Sequence, residues 1–335
     1  MAPTPTHAAL ATVDAGRPQP AVHASGLEPL RSESIPPRAP YLPERSAFAV
    51  LVGGVLVDQR VFLATALPNE SVEIIIEGPA ASGAHLIYAS GAVTTDGPGR
   101  WTWTAPPEPG VTALRIVDAG MTEAIHLNVF VMHPWAEVQR GRLNGYRLGI
   151  YPRRPLRDDP AYDRPRGFIA AGPGDEDILV APHFTLGQFV CRQAGAPRYL
   201  VLRAPLLVKL EAVLERLNQS GIAASTLKVL SGYRTPAYNA ALGNETEYSR
   251  HCYGDAADVF VDRDDNRRMD DLNGDGRSNF RDAAVIRGLV ESLEQSAGAE
   301  VEVGGLGTYA ATHRHGAFVH IDARGTRARW VAVGP

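Results

Sequence analysis

The arrangement of apolar residues changes along this chain of 335 residues, and the change predicts a fold with at least two structural parts. Between residues 41 and 133, apolar runs such as AFAVLVGGVLV, SVEIIIEG and AIHLNVFVM are separated by turn signals such as PNES and DGPG. Runs rich in β-branched and aromatic residues at this spacing indicate short strands of an antiparallel sandwich. In RWTWT, alternation places Trp101 and Trp103 on the same face of a strand.

The segments beside this region lack such runs. Residues 1–40 are rich in Pro and Ala and are expected to form a flexible arm, packed on the body in places. Residues 134–180 contain YPRRPLRDDPAYDRPRG, which is too rich in Pro and charge for a long regular element and is expected to be a connector. Residues 41–133 then form an immunoglobulin-like sandwich, a spacer or a module that binds a cell-wall or protein partner.

The C-terminal region, residues 181–335, shows helical and strand patterns together. LRAPLLVKLEAVLERLNQSG has an apolar stripe at helical spacing, and Gly221 is a plausible helix stop. RDAAVIRGLVESLEQ predicts a second amphipathic helix, while GDAADVFVD and AFVHIDA predict strands. The whole chain is therefore expected to be multidomain, with an N-terminal all-β part and a C-terminal α+β domain that has a small antiparallel sheet.

Composition excludes some classes of protein. A net charge of -4 and a pI near 6.2 argue against a nucleic-acid partner, since such proteins usually carry a basic surplus. No apolar run approaches the roughly 18 residues of a membrane-spanning helix, and the N-terminus shows no signal-peptide pattern. Cys191 and Cys252 are too few for a disulfide scaffold and are expected to be small buried residues, with a disulfide between them as the alternative.

Three residues in the C-terminal region have the chemistry of metal ligands. His251 and Asp258 are seven residues apart with Gly254 between them, and His320 lies in a separate predicted strand. A catalytic zinc ion takes three protein ligands from His and carboxylate groups and keeps a position open for water, whose pKa it lowers. If Gly254 lets the chain fold back, the three side chains can meet one ion. Taken singly, each of these residues is more often structural.

Three stretches carry a resemblance to a known family. SGYRTPAYNAALG, SRHCYGDAADV and GGLGTYAATHRHGAFVHID resemble the signature stretches of M15-type zinc D-Ala-D-Ala carboxypeptidases, and of the subgroup that includes murein endopeptidases. The family pattern Ser-x-His-x-x-Gly-x-Ala-x-Asp is matched at every position from Ser249 to Asp258, and the later His-x-Asp is matched by His320 and Asp322. PHFTLGQFVC at 182–191 resembles the family's upstream segment.

The resemblance implies roles for individual residues. His251, Asp258 and His320 would hold zinc. Arg234 would face a substrate carboxylate or the oxyanion that forms during hydrolysis, with a structural ion pair as the alternative. Ser249 would contact substrate, orient a ligand or cap a turn. Asp322 would accept a hydrogen bond from a ligand histidine.

One position departs from the family pattern. Many members have a carboxylate three residues before the last ligand, where it moves a proton during hydrolysis, and this chain has Ala317 there. Related enzymes place a histidine five residues before that ligand, a position matched by His315. We therefore expect His315 to stabilise the oxyanion or to move the proton, with His313 as a weaker candidate and Asp255 as a remaining carboxylate near the motifs.

A second motif lies between the two halves of the predicted zinc site, within an insertion at 262–290. Residues 271–282 resemble a calcium loop of the dockerin or EF-hand type, with Gly276 at the turn. The expected ligands are Asp271, Asn273, Asp275, the backbone carbonyl of Arg277, Asn279 and Asp282. A solvated surface turn is the alternative, and the preceding Asp262, Asp264 and Asp265 are expected to form a solvated face.

The resulting hypothesis is a zinc peptidase that hydrolyses stem peptides or cross-links of peptidoglycan, as a D,D-carboxypeptidase or an endopeptidase. Zinc would be the catalytic cofactor and calcium a structural one. The alternatives are a zinc-binding module that recognises cell-wall peptides or a protein without cleaving them, which Ala317 favours, and a metallopeptidase that acts on protein substrates. The implied substrate predicts a periplasmic or other extracytoplasmic location.

Overall fold

A computed structural model describes residues 21–32, 41–76, 78–244, 246–296 and 301–332. Most of the predicted flexible arm, residues 1–20 and 33–40, lies outside the described residues. The part of the arm at 21–32 packs on the body, where Arg31 forms an isolated bridge with Ile178.

The N-terminal part contains two five-stranded sheets. The first has the order β1 (Val22–His23), β6 (His85–Tyr88), β9 (Gly110–Val117), β10 (Ala124–Val131) and β4 (Val61–Ala66). The second has the order β3 (Val55–Gln59), β2 (Arg45–Val52), β5 (Ser71–Ile76), β8 (Arg100–Thr104) and β7 (Ala92–Gly97). The second sheet is antiparallel, as predicted, but the pairs β1–β6 and β4–β10 are parallel. The chain passes from β3 to the other sheet at Arg60, so β4 joins β10 without a hairpin.

The two sheets share one hydrophobic core. Trp101 and Trp103 are buried on the same face of β8, as their alternation predicts, and Trp103 Nε1 donates a hydrogen bond to the Ser90 carbonyl over 2.8 Å. Leu114 and Leu127 of the other sheet belong to the same core. Burial of large aromatic side chains between the sheets is the main source of stability of this part.

The segment that follows contains only short elements. They are β11 (His133–Pro134), β12 (Arg142–Leu143), β13 (Tyr146–Arg147), β14 (Gly167–Ala171), β15 (Leu179–Ala181), β16 (Phe184–Thr185), α1 (Leu186–Phe189) and β17 (Arg198–Leu200). Short 3₁₀ turns lie at Pro79–Ala81, Trp135–Glu137, Leu156–Asp158 and Pro160–Tyr162. Because β14 pairs with both β11 and β17, the two ends of this segment are joined in one three-stranded sheet.

The C-terminal part is an α+β unit. Its five-stranded sheet has the order β18 (Lys228–Ser231), β19 (Ala256–Phe260), β21 (Phe318–Asp322), β20 (Gly305–Tyr309) and β22 (Ala328–Ala332). Its helices are α2 (Ala204–Gln219), α3 (Pro236–Ala241) and α4 (Phe280–Ser296). All strand pairs are antiparallel except β20–β22. The two long helices occupy the ranges that the apolar stripes predict.

The two faces of this sheet have different chemistry. On β21, Val319 and Ile321 are buried in the hydrophobic core, and α4 packs against this strand. Phe318, His320 and Asp322 alternate with them and therefore point to the opposite face. That face, called the site face below, carries the polar groups described next. Among the described residues, no helix has both the length and the apolar character needed to cross a membrane.

Candidate metal centre

The chain brings His251 and Asp258 together through a left-handed turn. His251 lies in a 3₁₀ turn, Arg250–Tyr253, that ends at Gly254 with φ of 77°. A Cβ at Gly254 would lie 2.4 Å from the Val201 carbonyl oxygen, so both the conformation and the close approach require glycine. Strand β19 begins two residues later and carries Asp258 on the site face.

His320 reaches the same place from the neighbouring strand. Asp258 on β19 is the direct partner of His320 on β21, and facing side chains at such a position lie close together. Asp258 Oδ1 is 2.9 Å from His320 Nδ1 and 3.3 Å from His251 Nε2, and the two nitrogens are 3.2 Å apart. All three side chains are buried. The structure thus brings together the three residues for which the sequence predicts a metal.

Neighbouring groups orient the two histidine rings. His251 Nδ1 lies 2.7 Å from the Gly232 carbonyl oxygen and must donate to it, which leaves Nε2 with a lone pair in the neutral ring. His320 has a carboxylate oxygen at each ring nitrogen, since Nε2 lies 3.2 Å from Asp322 Oδ2 and Nδ1 lies 2.9 Å from Asp258 Oδ1. His251 Nε2 and His320 Nδ1 therefore both face Asp258 Oδ1.

Three acceptors that converge without a proton repel one another. This conflict shifts the pKa values of the three groups. Burial lowers the pKa of His320, but hydrogen bonds and charge from Asp258 and Asp322 outweigh burial and raise that pKa to about 9. Burial lowers the pKa of His251. Burial raises the pKa of Asp258, but the two histidines outweigh it and hold that pKa below its usual range. Without a metal, one proton on His320 relieves the repulsion.

The donor set fits a zinc ion. Two imidazole nitrogens and one carboxylate oxygen are the ligands of many catalytic zinc sites, and each offers one atom within 4.8 Å of the others. The second nitrogen of each ring already has a hydrogen-bond acceptor, as is usual for histidines that bind metals. His251, Asp258 and His320 could therefore hold the ion as they stand, without a change of rotamer.

Asp322 is the group that fixes His320. It is fully buried, and besides His320 it binds the Arg324 guanidinium and accepts a hydrogen bond from the Gly305 N–H over 2.7 Å. Burial alone would raise its pKa, but His320 and Arg324 lower it below the usual range, so Asp322 is ionised. The orienting contact that the resemblance implies for Asp322 is present.

Arg234 contacts a metal ligand. Its Nη2 donates to Asp258 Oδ2 over 2.5 Å, and its Nε donates to Ser231 Oγ over 2.7 Å. Its Nη1 makes no hydrogen bond with a described residue. The sequence left a structural ion pair as the alternative role for Arg234, and the structure contains that pair. Only Nη1 of the guanidinium is then left for a substrate group.

Three further motif residues have structural contacts. Ser249 is buried at the start of the 3₁₀ turn, without a side-chain cap bond to that turn. Asp255 is fully buried between Arg250 and Arg203. Cys191 and Cys252 are both buried and free, so the alternative of a disulfide is wrong. Burial raises the pKa of the Cys252 thiol to about 12, which makes it a poor nucleophile.

The two candidate histidines of the loop before β21 do not touch the metal ligands. His315 Nδ1 lies 2.8 Å from the Gly316 carbonyl oxygen, and its ring packs edge-on against Phe318 at 5.0 Å. His313 is exposed and accepts a hydrogen bond from Arg314. Ala317 is buried. The role of His315 in proton transfer stays a prediction, and Phe318 separates its ring from the centre.

Two aromatic residues on the site face were missed by sequence reasoning. Gly307 on β20 is the direct partner of His320, and the indole of Trp330 on β22 lies where a Cβ of Gly307 would be. Trp330 packs on the His320 ring at 5.1 Å and donates from Nε1 to the Tyr309 hydroxyl over 2.9 Å. Tyr309 stacks on Phe318 at 4.5 Å. The alternation in GLGTY, aligned with FVHID, is the signal that could have placed Tyr309 there.

Tyr309 presents a hydrogen-bond donor on the site face. Because its oxygen accepts the Trp330 N–H, its own O–H must donate elsewhere, and no described residue accepts it. Burial raises the pKa of Tyr309, although the Trp330 bond opposes this, so the phenol is neutral near pH 7.

The predicted calcium loop is folded around its own carboxylates. Asp271 accepts hydrogen bonds from the backbone of Gly274 and Gly276, and Asp282 is fully buried and accepts from Leu272 and Asn279. Helix α4 follows, as such a loop requires. Among the described residues, the clusters of three or more acidic or metal-ligating groups do not include this loop. Calcium binding by Asp271, Asn273, Asp275, Arg277, Asn279 and Asp282 stays a prediction.

The acidic run before this loop differs from the predicted solvated face. Asp262 is buried and accepts hydrogen bonds from the backbone N–H groups of Asn266 and Arg267. Asp264 and Asp265 are exposed, as predicted. The chain must turn back directly after β19, and Asp262 stabilises that turn.

The fold and the site define a class of protein: an α+β domain with a candidate metal site of two histidines and one aspartate. The family model for Peptidase M15 matches residues 182–275, which include Arg234, His251 and Asp258. This match supports an M15 family peptidase in the C-terminal half of the chain, as its motifs predict. The match ends before His320, which joins the centre through strand pairing. Comparisons with curated proteins and with solved structures gave no match.

Proposed function

We propose that this protein is a zinc-dependent peptidase that hydrolyses peptide bonds in peptidoglycan stem peptides or cross-links. The observation that carries the proposal is the convergence of His251 Nε2, Asp258 Oδ1 and His320 Nδ1, which lie within 3.3 Å of one another. The Peptidase M15 match supports the peptidase, and the resemblance of the motifs supports the substrate.

The chain's own residues support hydrolysis in distinct ways. A zinc ion held by the three ligands would supply a Lewis acid that polarises a carbonyl and lowers the pKa of water. Tyr309 would donate its O–H to the oxyanion that develops on the scissile carbonyl, and Trp330 holds that hydroxyl in place. Arg234 holds Asp258 in its orientation, and its Nη1 is available to a substrate oxygen.

Proton transfer is the step for which the usual carboxylate is absent. With Ala317 in that position, the groups near the centre that can carry a proton are His315 and Tyr309. We propose that His315 accepts the proton through solvent, since Phe318 keeps its ring from direct contact.

Ala317 also favours a second candidate function. A domain with intact ligands but no acid would bind cell-wall peptides, or a protein partner, without cleaving them. The two functions share the metal centre and differ in turnover. Whether the enzyme removes a terminal D-amino acid or cuts a cross-link is a further choice between carboxypeptidase and endopeptidase.

Mass spectrometry of peptidoglycan fragments tests the proposal and identifies the bond. Zinc-loaded protein is incubated with purified fragments beside His251→Ala, which removes one ligand. Loss of a terminal residue indicates a carboxypeptidase, and conversion of cross-linked dimers to monomers indicates an endopeptidase. Unchanged fragments with zinc bound would contradict the peptidase and favour the binding module.

The remaining parts complete the proposal. The N-terminal sheets form an immunoglobulin-like sandwich that positions the enzyme on the wall or on a partner. Calcium in the loop at 271–282 stabilises the insertion before α4. Both features, and the substrate, suit a periplasmic or other extracytoplasmic location.

A further inference from the structure

A cavity lies at the end of β19, the strand that carries Asp258. It has a volume of about 650 Å³ and is walled by β18, by the end of β19, by the turn after β19 and by the loop before β21. Phe260 on β19 lines it, and Phe260 lies two residues beyond Asp258 on the same face of the strand. At about 3.3 Å per residue, the cavity begins roughly 7 Å from the metal ligand.

The insertion forms one wall of this cavity. The backbone of Arg268 lies 3.5 Å from where a Cβ of Gly316 would be, so the turn after β19 packs on the loop before β21. Met269 is buried below it, and Ser278 hydrogen-bonds the Met269 carbonyl. The insertion between the two halves of the metal motif therefore shapes a space next to the centre.

The walls of the cavity are cationic, although the whole chain is acidic. Its lining includes Arg192, Lys228, Arg267, Arg268, Arg314 and His315. The acidic residues in the lining are Asp262 and Asp265. Asp262 is buried and turned to backbone N–H groups, and Asp265 pairs with Lys228 at 2.8 Å. The arginines are therefore not neutralised within the cavity.

Two of these arginines lack a partner. The exposed side chains of Arg192 and Arg268 make no hydrogen bond or ion pair with a described residue. They approach the cavity from separate places, since Arg192 follows α1 and Arg268 lies in the turn after β19. Guanidinium groups that line one cavity without partners are suited to bind a carboxylate, because each can donate two parallel hydrogen bonds.

We infer that this cavity is a substrate subsite for a carboxylate, located within one or two residues of the scissile bond. The preferred substrate is thus an acidic peptide, and Arg192 and Arg268 select it. His315 lines the same cavity. This inference deepens the proposed function and rests on it.

The test compares two peptides and two variants of the full chain. Both peptides end in D-Ala. They differ only at the carboxylate beside the scissile bond, which is free in one peptide and amidated in the other. The double variant is Arg192→Gln with Arg268→Gln. The control is Arg100→Gln, an exposed arginine of β8 that also lacks an ion pair with a described residue. Binding is measured by calorimetry and turnover by mass spectrometry, both with zinc-loaded protein.

The inference predicts a selective loss. The double variant should bind the free-carboxylate peptide at least tenfold more weakly, where tenfold corresponds to about 1.4 kcal/mol. The amidated peptide and the control variant should change less than about twofold. Equal effects on both peptides, no effect on either, or no binding of either peptide by the parent protein would overturn it.

Binding and turnover also separate this inference from the proposed function. If the acidic peptide binds through the two arginines but is not cleaved, the subsite stands and the peptidase fails. If both peptides are cleaved and the arginines make no difference, the peptidase stands and the subsite fails. Unfolding temperatures of the variants should match that of the parent protein, because both side chains are exposed.

Discussion

Arg234 Nη2 donates to Asp258 Oδ2 over 2.5 Å, while Asp258 Oδ1 faces the two histidines. The two oxygens of one carboxylate are thus divided between a guanidinium and the metal position. This division fixes the plane of the carboxylate.

Replacement of Arg234 tests this relationship. Arg234→Gln removes the ion pair while His251, Asp258 and His320 stay, so zinc affinity should fall by roughly 10- to 100-fold. The matched control is Arg263→Gln, which breaks an Arg–Asp pair with Asp270 away from the centre. Competition with a zinc chelator measures both variants. Equal affinities in the two variants would show that Arg234 does not support the metal.

Tyr309 should matter for turnover and not for metal binding. Tyr309→Phe removes the O–H that the site face presents, so kcat should fall by roughly 100-fold with KM nearly unchanged. Trp330→Phe keeps the phenol but loses its orienting N–H, so its effect should be smaller. Steady-state kinetics at matched zinc content measures both. A change in KM alone would indicate that Tyr309 only binds substrate.

Gly254 should be required for the turn between two ligands. Gly254→Ala places a methyl group against the Val201 carbonyl at a φ of 77°. Gly274→Ala is the matched control, since Gly274 has a φ of 75° but open space around it. Both variants incur the left-handed strain of roughly 1–2 kcal/mol, and only Gly254→Ala adds a clash. Urea unfolding of zinc-free protein should show the larger loss for Gly254→Ala, and equal losses would contradict the packing described.

His126 should make stability fall in mild acid. It is buried in the first sheet, its Nε2 has no partner among the described residues, and burial lowers its pKa to about 4. The unfolded chain takes up the proton near pH 6.5, so stability declines as pH falls from 6.5 towards 4. His126 alone should contribute roughly 2 kcal/mol of loss between pH 7 and pH 5.

The measurement is urea unfolding of zinc-free protein at the two pH values. His126→Gln has no group that titrates there, so its loss over the same interval should be smaller by about that amount. Parallel pH profiles for the two proteins would show that His126 is charged, or solvated, in the folded state.

Local patterns were sufficient to predict the two long helices and the three residues of the centre. The helical stripes of α2 and α4 and the motif from Ser249 to Asp258 are contained in short stretches of chain. His320 could be predicted because its own strand carries a recognisable His-x-Asp.

Features that depend on contacts between distant elements could not be predicted. Arg234 meets Asp258 because β18 pairs with β19, and Tyr309 reaches the site face through the register of β20. The parallel pairing of β4 with β10 has no local signal either. Asp262 looked like one of three solvated carboxylates, but only the path of the chain after β19 decides that it is buried.

Titration of the metal-free protein with zinc is the measurement that tests the central claim most directly. Hydrolysis of peptidoglycan fragments is followed as zinc is added to the metal-free parent protein and to His320→Ala. The account predicts that activity in the parent protein rises from background and saturates at a single ion per chain, while His320→Ala stays at background. Full activity without zinc, or equal activity in His320→Ala, would contradict a metal centre built from His251, Asp258 and His320.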